Sequence, residues 1–431
     1  MFLDTLQEPA RGAGFFMSSA EMQQAAIRGR SSSLPSPHIV VGITSPLTCI
    51  ALTGRLRALR EAGFRVTLVS GPGELLDRIA KTDGVETIAI PMERKIAPLA
   101  DIVSLICLWR LLRKLRPDIT EFSTPKVGLL GNLAARWASV PRRVYMLRGL
   151  KLETAKGFKR LILLMAERMA AASAHIVLCN SASLYAEALR LRLAQEKKLQ
   201  MVGAGSSNGV DVEKFSPGPS DVRDRLGLPH DAPVLGFVGR LTRDKGLPEL
   251  IEAFDTIVTT RPEAYLLLVG WFDASEDALE TKLRLRIRTH PRIVCTGYVA
   301  NTAPYYRAMN VLILPTRREG FPNAVLEASA TGIPVITTLA TGARDAVVPE
   351  VTGLLIPPGY PEAISEAVLK LFGDPERCKR MGEAARAWAI DSFVNVHVLM
   401  LTIEFYKSLL NREDCANARH EVAMESIVPQ P

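Results

Sequence analysis

The sequence predicts an α/β protein made of two tandem units, each a parallel sheet wound with helices. Short apolar runs alternate with amphipathic stretches, and the alternation restarts after a polar, Pro/Gly-rich stretch at 215–233. The chain has 431 residues, 48% of them hydrophobic and 23% charged, which suits two or three soluble globular domains. Because such sheets bind ligands at the carboxyl ends of their strands, we expect a cleft between the two units.

The first unit is predicted from six apolar runs that read as strands. These are 38–44, 64–70, 86–91, 118–123, 143–147 and 175–180, with helices predicted at 52–63, 100–116, 128–138 and 157–173. Gly63 ends the first of these helices, because glycine commonly follows the last helical residue.

The second unit repeats this pattern. Strands are predicted at 234–239, 264–270, 292–299, 311–316 and 334–338, and helices at 247–260, 277–289 and 323–331. A last apolar stretch at 394–410 predicts a C-terminal helix.

The predicted domain boundaries follow from these runs. They give an N-terminal domain at 38–205, a C-terminal domain at 206–390 and a final helix within 391–411. Residues 1–37 lack periodicity and a long apolar segment, so we expect a disordered extension rather than a secretory signal. Residues 412–431 are expected to be a flexible tail. No run reaches the 18 or so uncharged apolar residues that a membrane span needs.

The charge of the chain is unevenly divided. Residues 1–205 carry 29 Lys and Arg against 16 Asp and Glu, a net of +13, whereas residues 206–431 carry 24 against 29, a net of −5. A phospholipid surface, nucleic acid or simple solubility would each explain the basic half. Aromatic residues make up only 6% of the chain and no aromatic–basic motif occurs, which disfavours nucleic acid. The six cysteines are scattered without a C-x-x-C pair, so a reducing cytosol is expected.

The stretch GFVGRLTRDKG (236–246) is the first candidate site. Gly239 ends a predicted strand and allows close approach of the backbone, while Arg240 and Lys245 place two cations just before a helix. Cations and backbone N–H groups at a helix N-terminus suit an anion such as a diphosphate. Taken alone, a glycine turn with surface charges explains the stretch equally well.

The stretch EGFPNAVLE (319–327) is the second. Glu319 falls in the loop after a predicted strand, and Glu327 falls in the following helix, two turns beyond Asn323. This spacing separates the carboxylates and argues against a pair that shares a proton. It favours two acceptors that bind hydroxyls on different parts of an elongated ligand.

Together these motifs, with GIPVI (332–336), resemble the retaining glycosyltransferases of family 4. That family has the GT-B fold, two Rossmann-like domains facing across a cleft, with the C-terminal helix packing back toward the N-terminal domain. The similarity covers residues from about 38 to 411. STPKVGLLGNLAA (123–135), LRGLKLETAKGFKRL (147–161) and GAGSSNGVDVEKFSP (203–217) resemble the branch that builds bacterial exopolysaccharide and capsule units on a lipid carrier.

The resemblance implies a role for each matching residue. Arg240 and Lys245 are expected to hold the donor's diphosphate, and Gly239 to let the backbone approach it. Glu319 is expected to bind the transferred sugar and Glu327 the ribose. The remaining donor contacts are expected from Phe321, Asn323, Ala324 and, beside the base, Tyr298.

The N-terminal domain departs from many relatives at YMLRGLKLE (145–153). Several of them have a histidine that contacts the donor sugar, whereas here Arg148 precedes Gly149 and no histidine occupies a matching motif. We expect Arg148, with Thr124 and Lys126 of TPKVG (124–128), to bind the acceptor. A helix cap with an exposed lysine explains the latter two almost as well.

The resemblance thus implies a bacterial glycosyltransferase on the cytoplasmic face of the cell membrane. Its expected substrates are a nucleotide sugar, for which a UDP-sugar is favoured, and a polyprenyl-pyrophosphate-linked saccharide. No metal or other cofactor is expected, since no Asp-x-Asp motif occurs. An anionic membrane surface is an expected partner. A nucleotide-sugar 2-epimerase of the same fold and a non-catalytic nucleotide-sugar-binding protein are the alternatives.

Overall fold

A computed structural model describes residues 36–52, 54–93, 97–123 and 125–411, except for the side chain of Pro125. The predicted tail at 412–431, and the predicted extension apart from residues 36 and 37, lie outside these residues.

The described residues form thirteen named strands. They are β1 (His38–Gly42), β2 (Arg65–Ser70), β3 (Glu86–Ala89), β4 (Ile119–Ser123), β5 (Arg142–Leu147), β6 (Ile176–Cys179), β7 (Leu199–Gln200), β8 (Val234–Val238), β9 (Tyr265–Val269), β10 (Ile293–Cys295), β11 (Val311–Leu314), β12 (Val335–Thr338) and β13 (Gly353–Ile356).

The α-helices lie between and after these strands. They are α1 (Arg55–Glu61), α2 (Glu74–Asp83), α3 (Pro98–Leu115), α4 (Pro125–Trp137), α5 (Gly157–Ser173), α6 (Ala182–Arg190), α7 (Val222–Leu226), α8 (Leu247–Thr260), α9 (Thr281–Thr289), α10 (Ala303–Tyr306), α11 (Asn323–Thr331), α12 (Pro361–Phe372), α13 (Pro375–Phe393) and α14 (Asn395–Asn411). Short 3₁₀ turns occur at Pro46–Leu52, Lys151–Glu153, Glu196–Lys198 and Arg344–Ala346.

The strands form two parallel sheets. The first has the order β3-β2-β1-β4-β5-β6-β7 and the second the order β10-β9-β8-β11-β12-β13. Every residue of β1, β4, β6, β11 and β12 is buried, as expected for strands covered by helices on both faces. Each sheet therefore has its own apolar core, and the predicted pair of doubly wound domains is confirmed.

In each parallel sheet, the chain adds successive strands first toward one edge of the sheet and then, after one crossover, toward the other edge. In the second sheet the two central neighbours are β8 and β11, which pair in parallel at Val311 with Leu235 and Leu312 with Gly236. The connections that leave β8 and β11 diverge, and this opens a crevice at their carboxyl ends. Arg240 and Lys245 follow β8, and Glu319 follows β11, so the topology alone brings the two candidate motifs together.

The C-terminal helix α14 returns to the N-terminal domain, as predicted. Its Tyr406 and Leu409 are buried within the apolar core of the first sheet, beside Leu52, Leu56 and Leu59. The hydroxyl of Tyr406 also contacts Glu121 of β4.

Several predicted elements need correction. The helix predicted at 52–63 begins only at Arg55, because its N-cap residue Gly54 adopts a left-handed conformation (φ 82°), and Leu52 ends a preceding 3₁₀ turn. The helix predicted at 277–289 begins only at Thr281. The strand predicted at 292–299 ends at Cys295, and Gly297 (φ 73°) bends the chain just beyond it. By contrast, α5, α8 and α11 have the predicted limits.

Candidate active site

A cavity of about 690 Å³ lies in the cleft between the domains. The C-terminal domain lines it with residues from the ends of β8, β9 and β11 and from α11. The N-terminal domain lines it with the 3₁₀ turn after β1 and with α2, including Leu47, Ile50, Leu75, Arg78 and Ile79. The candidate donor residues Gly239, Arg240, Lys245, Tyr298, Glu319, Phe321, Asn323, Ala324 and Glu327 all line this one cavity.

Two glycines bring the backbone close together on the C-terminal wall. Gly239 has φ 150° and Gly270, which follows β9, has φ 151°, both in the region that favours glycine. A Cβ on Gly270 would lie only 1.8 Å from the Gly239 carbonyl oxygen. A residue with a Cβ at 270 would therefore displace the loop that carries Arg240.

Arg240 lines the cavity and is held in place by two carboxylates. Its Nη1 donates to Asp273 Oδ2 at 2.7 Å, and its Nη2 lies 3.6 Å from Asp244 Oδ2. Burial opposes the charge, but the hydrogen bond to Asp273 and the charge of Asp244 prevail and raise the pKa of the guanidinium. Arg240 is thus a fixed, permanent cation at the cavity.

Lys245 and Glu319 form an ion pair across the switch point of the second sheet. Lys245 Nζ contacts Glu319 Oε1, and both side chains are less than one-fifth exposed. A diphosphate that reaches Lys245 must share or displace this contact. The pair therefore fixes the position of the Lys245 ammonium group beside the cavity.

Glu327 has a separate set of partners, as the spacing predicted. Tyr306, which is fully buried, donates its hydroxyl to Glu327 Oε2 at 2.8 Å, and Thr302 Oγ1 lies 3.4 Å away. Burial raises the pKa of this carboxyl to about 7, although the hydrogen bond from Tyr306 acts in the opposite direction. The two carboxylates of EGFPNAVLE are therefore not an acid/base pair that shares one proton.

The helix α11 begins at Asn323, directly beneath the cavity. Its N-cap residue is Pro322, and none of the side chains that the structure describes caps the first turn, whose residues Asn323 and Ala324 line the cavity. Such a helix start favours bound anions. Phe321 is buried against Phe393, with ring centroids 5.1 Å apart, so this residue anchors the loop as well as lining the cavity.

Tyr298 lies at the outer rim. Its ring is about half exposed and packs edge-on against Trp271, with centroids 5.6 Å apart. The two rings together give an aromatic wall of the kind on which a base can pack.

Two of the predicted acceptor residues, Lys126 and Arg148, are not among the described residues that line the cavity. Lys126 Nζ forms an ion pair with Asp101 Oδ1 at 2.6 Å, and Thr124 lies outside the described residues. Arg148 is largely buried and donates to Ser207 Oγ at 2.9 Å, while its Nε makes no hydrogen bond to any residue that the structure describes. Burial lowers the pKa of Arg148 to about 10.

The backbone of Arg148 does reach the loop of Glu319. A Cβ on Gly320 would lie 2.6 Å from the Arg148 carbonyl oxygen, and one on Gly149 would lie 3.1 Å from that of Glu319. The two domains therefore touch at glycines beside the cavity. The acceptor roles of Thr124, Lys126 and Arg148 stay predictions.

Several residues at the site were not predicted from the sequence. Three of them follow β9, namely Gly270, Trp271 and Asp273. The V-G-W-F-D run at 269–273, a glycine with two aromatic residues and a carboxylate after a predicted strand, could have indicated them. Asp244 lies within the first motif, where it also binds Arg318 Nη2 at 2.9 Å. Nothing in the sequence marks Arg78 or Lys214, which line the cavity from distant elements.

Comparisons with known proteins place the chain in a family. Residues 220–388 match the family described as glycosyl transferases group 1, and residues 52–205 match a glycosyl transferase 4-like domain. The capsular polysaccharide biosynthesis glycosyltransferase CapM of Staphylococcus aureus is 37% identical over 78% of this chain and 87% of its own length. This chain is a group 1 glycosyltransferase. It is therefore an enzyme, and the epimerase and binding-protein alternatives fall away.

Another relative supports the branch suggested by the sequence. The UDP-Gal:α-D-GlcNAc-diphosphoundecaprenol α-1,3-galactosyltransferase of Escherichia coli is 29% identical to this glycosyltransferase over 68% of this chain and 76% of its own length. The family resemblance to bacterial capsule and lipid-linked sugar transferases is thus confirmed.

Solved structures confirm the GT-B fold. Anabaena Alr3699/HepE in complex with UDP and glucose has a TM-score of 0.73 at 19% identity, covering 86% of this chain and all of that one. Sucrose-phosphate synthase from Thermosynechococcus elongatus has a TM-score of 0.72 at 22% identity, covering 87% and 99%.

Among the described residues, no helix combines the length and hydropathy of a membrane span. None of their His, Cys, Asp and Glu side chains form a group of three or more suited to a metal ion.

Proposed function

We propose that this glycosyltransferase moves a sugar from a UDP-sugar to a polyprenyl-diphosphate-linked saccharide in bacterial capsule or exopolysaccharide synthesis. The observation that carries the proposal is the convergence of Arg240, Lys245, Glu319 and Glu327 on one interdomain cavity. The relatives from Staphylococcus aureus and Escherichia coli, whose names specify capsule synthesis and a diphosphoundecaprenol acceptor, support the choice of pathway class and acceptor.

The donor fits the cavity in an extended pose. The diphosphate lies between Arg240, Lys245 and the first turn of α11, where cations and backbone N–H groups converge. Glu327 accepts hydrogen bonds from the ribose hydroxyls, and Tyr298 borders the base. Glu319, with the N–H groups near Phe321, Asn323 and Ala324, binds the transferred sugar.

The reaction proceeds with retention of the anomeric configuration. The acceptor hydroxyl attacks the anomeric carbon from the face that the diphosphate leaves, and the bond from that carbon to the diphosphate oxygen breaks. The leaving diphosphate takes the electron pair and then the acceptor's proton. Arg240 and Lys245 stabilise the negative charge that develops on this group, which is the main electrostatic task of the site.

Transfer is independent of divalent metals in this proposal, because two protein cations occupy the positions where a metal would neutralise the diphosphate. Arg240 is permanently charged and fixed by Asp273, so its field requires no reorganisation during the reaction. The enzyme acts as a peripheral protein on the cytoplasmic face of the membrane, where a polyprenyl-linked acceptor is anchored.

Substitution of the donor residues tests the proposal. Lys245→Ala and Glu327→Ala are each expected to lower sugar transfer by at least about a hundredfold, since each loses a contact to the donor. Donors are first identified by a thermal-shift screen of nucleotide sugars. Transfer to polyprenyl-diphosphate-linked saccharides is then followed by mass spectrometry in excess EDTA.

Matched controls come from α13. Lys379→Ala and Glu383→Ala remove the same side-chain types from exposed positions outside the cavity and are expected to leave transfer unchanged. Near-normal turnover in either donor-site variant would remove the donor-site assignment. Loss of turnover upon EDTA treatment, restored by Mg²⁺ or Mn²⁺, would remove the metal-independent mechanism.

A further inference from the structure

The outward face of α3 is apolar along its first half. Leu99, Ile102, Val103 and Ile106 are 82, 53, 60 and 40% exposed. Their spacing of three and four residues places them in one stripe along the helix. The opposite side of α3 packs into the protein, where Leu108 is fully buried.

The outward face of α5 carries a second stripe of the same kind. Phe158, Leu161, Ile162, Met165 and Met169 are 76, 52, 41, 48 and 47% exposed, again at helical spacing. The inner side of this helix packs into the core beneath β5 and β6 through residues such as Leu163 and Ala170.

The two stripes belong to one layer of the molecule. Helix α4 packs against both α3 and α5, so the three helices lie side by side over the first sheet. We call the exposed apolar side chains of residues 99–106 and 158–169 the two-helix surface. Large apolar side chains exposed together in this way mark an interaction site.

The position of this surface relates it to the active site. Helices α3, α4 and α5 each follow a strand of the parallel sheet, so each starts at the carboxyl edge that faces the cleft. The apolar residues lie in the first turns of α3, nearest that edge. Lys159, at the start of α5, lies 3.1 Å from Glu276 of the C-terminal domain, which fixes this end of the surface beside the cleft.

The charges around the two-helix surface are almost all positive. The outward face of α3 continues as Arg110, Arg113 and Lys114, and α5 begins beside Lys156 and Arg160, all exposed. Each of the two helices contains one carboxylate. Asp101 pairs with Lys126, and Glu167 is buried against the Tyr145 hydroxyl. No outward carboxylate of α3 or α5 therefore opposes an anionic partner.

We propose that the two-helix surface docks on an anionic phospholipid bilayer, with its apolar side chains at the headgroup–acyl boundary. Apolar stripes flanked by Lys and Arg are typical of helices that lie in the plane of a membrane, and anionic lipids attract such cations. A second copy of the chain is disfavoured as the occupant, because the same basic residues would face each other. The inference rests on the proposed function in one respect, that a lipid-linked acceptor brings the cleft to a membrane.

Cosedimentation of the purified full chain with extruded vesicles tests the inference. Vesicles of phosphatidylcholine with about one-third phosphatidylglycerol are compared with phosphatidylcholine alone. Phe158→Glu/Leu161→Glu and Ile102→Glu/Ile106→Glu are each expected to lower the partition coefficient on the anionic vesicles by at least about tenfold. Arg113→Glu/Lys114→Glu is expected to abolish the preference for anionic vesicles and its weakening by salt.

The control variant is Leu285→Glu, on α9 of the C-terminal domain. Leu285 is 61% exposed, comparable to the residues of the two-helix surface, and its substitution is expected to leave vesicle binding unchanged. Equal binding of wild type and the surface variants would overturn the inference, as would indifference of the wild type to lipid charge. A dimer in analytical ultracentrifugation that the surface variants dissociate, without vesicle binding, would assign the surface to self-association instead.

Failure of the proposed function is recognised separately. UDP affinity, measured by calorimetry, does not involve the two-helix surface and is expected to be unchanged in all four variants. Absence of nucleotide-sugar binding with intact vesicle binding would remove the proposed donor while leaving the docking surface in place.

Discussion

The burial of Glu327 makes the stability of the folded protein depend on pH. Burial raises its pKa from 4.5 to about 7, against the hydrogen bond from Tyr306. A group whose pKa is higher in the folded state contributes stability that is fully present below about pH 4.5. That contribution is lost as the pH rises through about 7.

The Glu327→Gln variant is therefore expected to gain thermal stability relative to wild type as the pH increases from 5 to 8. Glutamine keeps the acceptor for Tyr306 but never takes up the buried charge. Bound UDP is expected to shrink this difference, because ribose hydroxyls that donate to the carboxylate lower its pKa. Melting temperatures of both proteins, measured at each pH with and without UDP, check these expectations.

Glu167→Gln is the matched control. Burial raises the pKa of Glu167 to about 7 as well, but Glu167 contacts Tyr145 within the N-terminal domain and does not line the cavity. Glu167→Gln should likewise gain thermal stability relative to wild type as the pH increases from 5 to 8. UDP should not change this difference in melting temperature. A difference for Glu327→Gln that UDP does not change would count against the ribose contact.

The sequence predicted which residues lie at the cavity where those residues directly follow a predicted strand. Arg240, Lys245 and Glu319 follow the apolar runs of β8 and β11, and these strands are central neighbours of one sheet. Asp273 was not predicted, because a lone carboxylate has no periodic signal, and its pairing with Arg240 depends on the fold. Lys126 was placed correctly at a strand end, but its ion pair with Asp101 joins two helices that no sequence pattern connects.

Whole elements were predictable where their apolar periodicity was unbroken. The limits of α5, α8 and α11 follow from such stretches. Leu52 was included in the helix that follows it, since Leu52, Leu56 and Leu59 are buried together and have a helical spacing, although Leu52 ends a 3₁₀ turn. Helices α12 and α13 and strand β13 were not assigned, although α12 begins with Pro361 and α13 with Pro375, both start signals.

The C-terminal helix α14 depends on a buried polar cluster as well as on apolar packing. Arg55 of α1 donates to both carboxylate oxygens of Glu121, at 3.0 and 2.5 Å, and Arg55 Nη2 donates to the Tyr406 hydroxyl at 3.0 Å. All three side chains are buried, so the Glu121 carboxylate, the Tyr406 hydroxyl and the two terminal guanidinium nitrogens of Arg55 depend on one another for these hydrogen bonds.

Two substitutions in this cluster are expected to differ in their effect on stability. Glu121→Gln leaves the buried Arg55 charge without a counter-ion and should lower the free energy of unfolding by about 3–5 kcal/mol. Tyr406→Phe removes one hydroxyl and should cost about 1–3 kcal/mol. Urea denaturation followed by circular dichroism measures both.

Tyr360→Phe is the control for this pair, because Tyr360 is 58% exposed and its hydroxyl makes no hydrogen bond within the part of the chain that the structure describes. A Glu121→Gln variant as stable as wild type would show that the cluster is not needed to hold α14 on the first domain.

At the scale of the whole molecule, polar contacts beside the cavity hold the two domains together. Lys151 and Lys159 of the N-terminal domain both bind Glu276 of the C-terminal domain, at 2.9 and 3.1 Å. Their hydrogen bonds lower the pKa of Glu276 to about 2. Thr341 donates to Glu153 at 2.5 Å, and burial raises the pKa of that carboxyl. These contacts join the two domains through polar groups, several of them exposed.

The bridge at Glu276 is expected to favour the closed cleft only modestly, because its side chains are 31–50% exposed and screened by water and salt. Glu276→Gln should raise the dissociation rate of UDP by a small factor, about two- to fivefold at low salt, and by less at high salt. Stopped-flow displacement of a fluorescent UDP analogue measures this rate.

The control variant is Glu362→Gln, which provides the baseline rate. Glu362 is an exposed carboxylate on α12 that does not line the cavity. If the rate for Glu276→Gln equals that baseline at every salt concentration, the bridge has no part in holding the cleft around UDP.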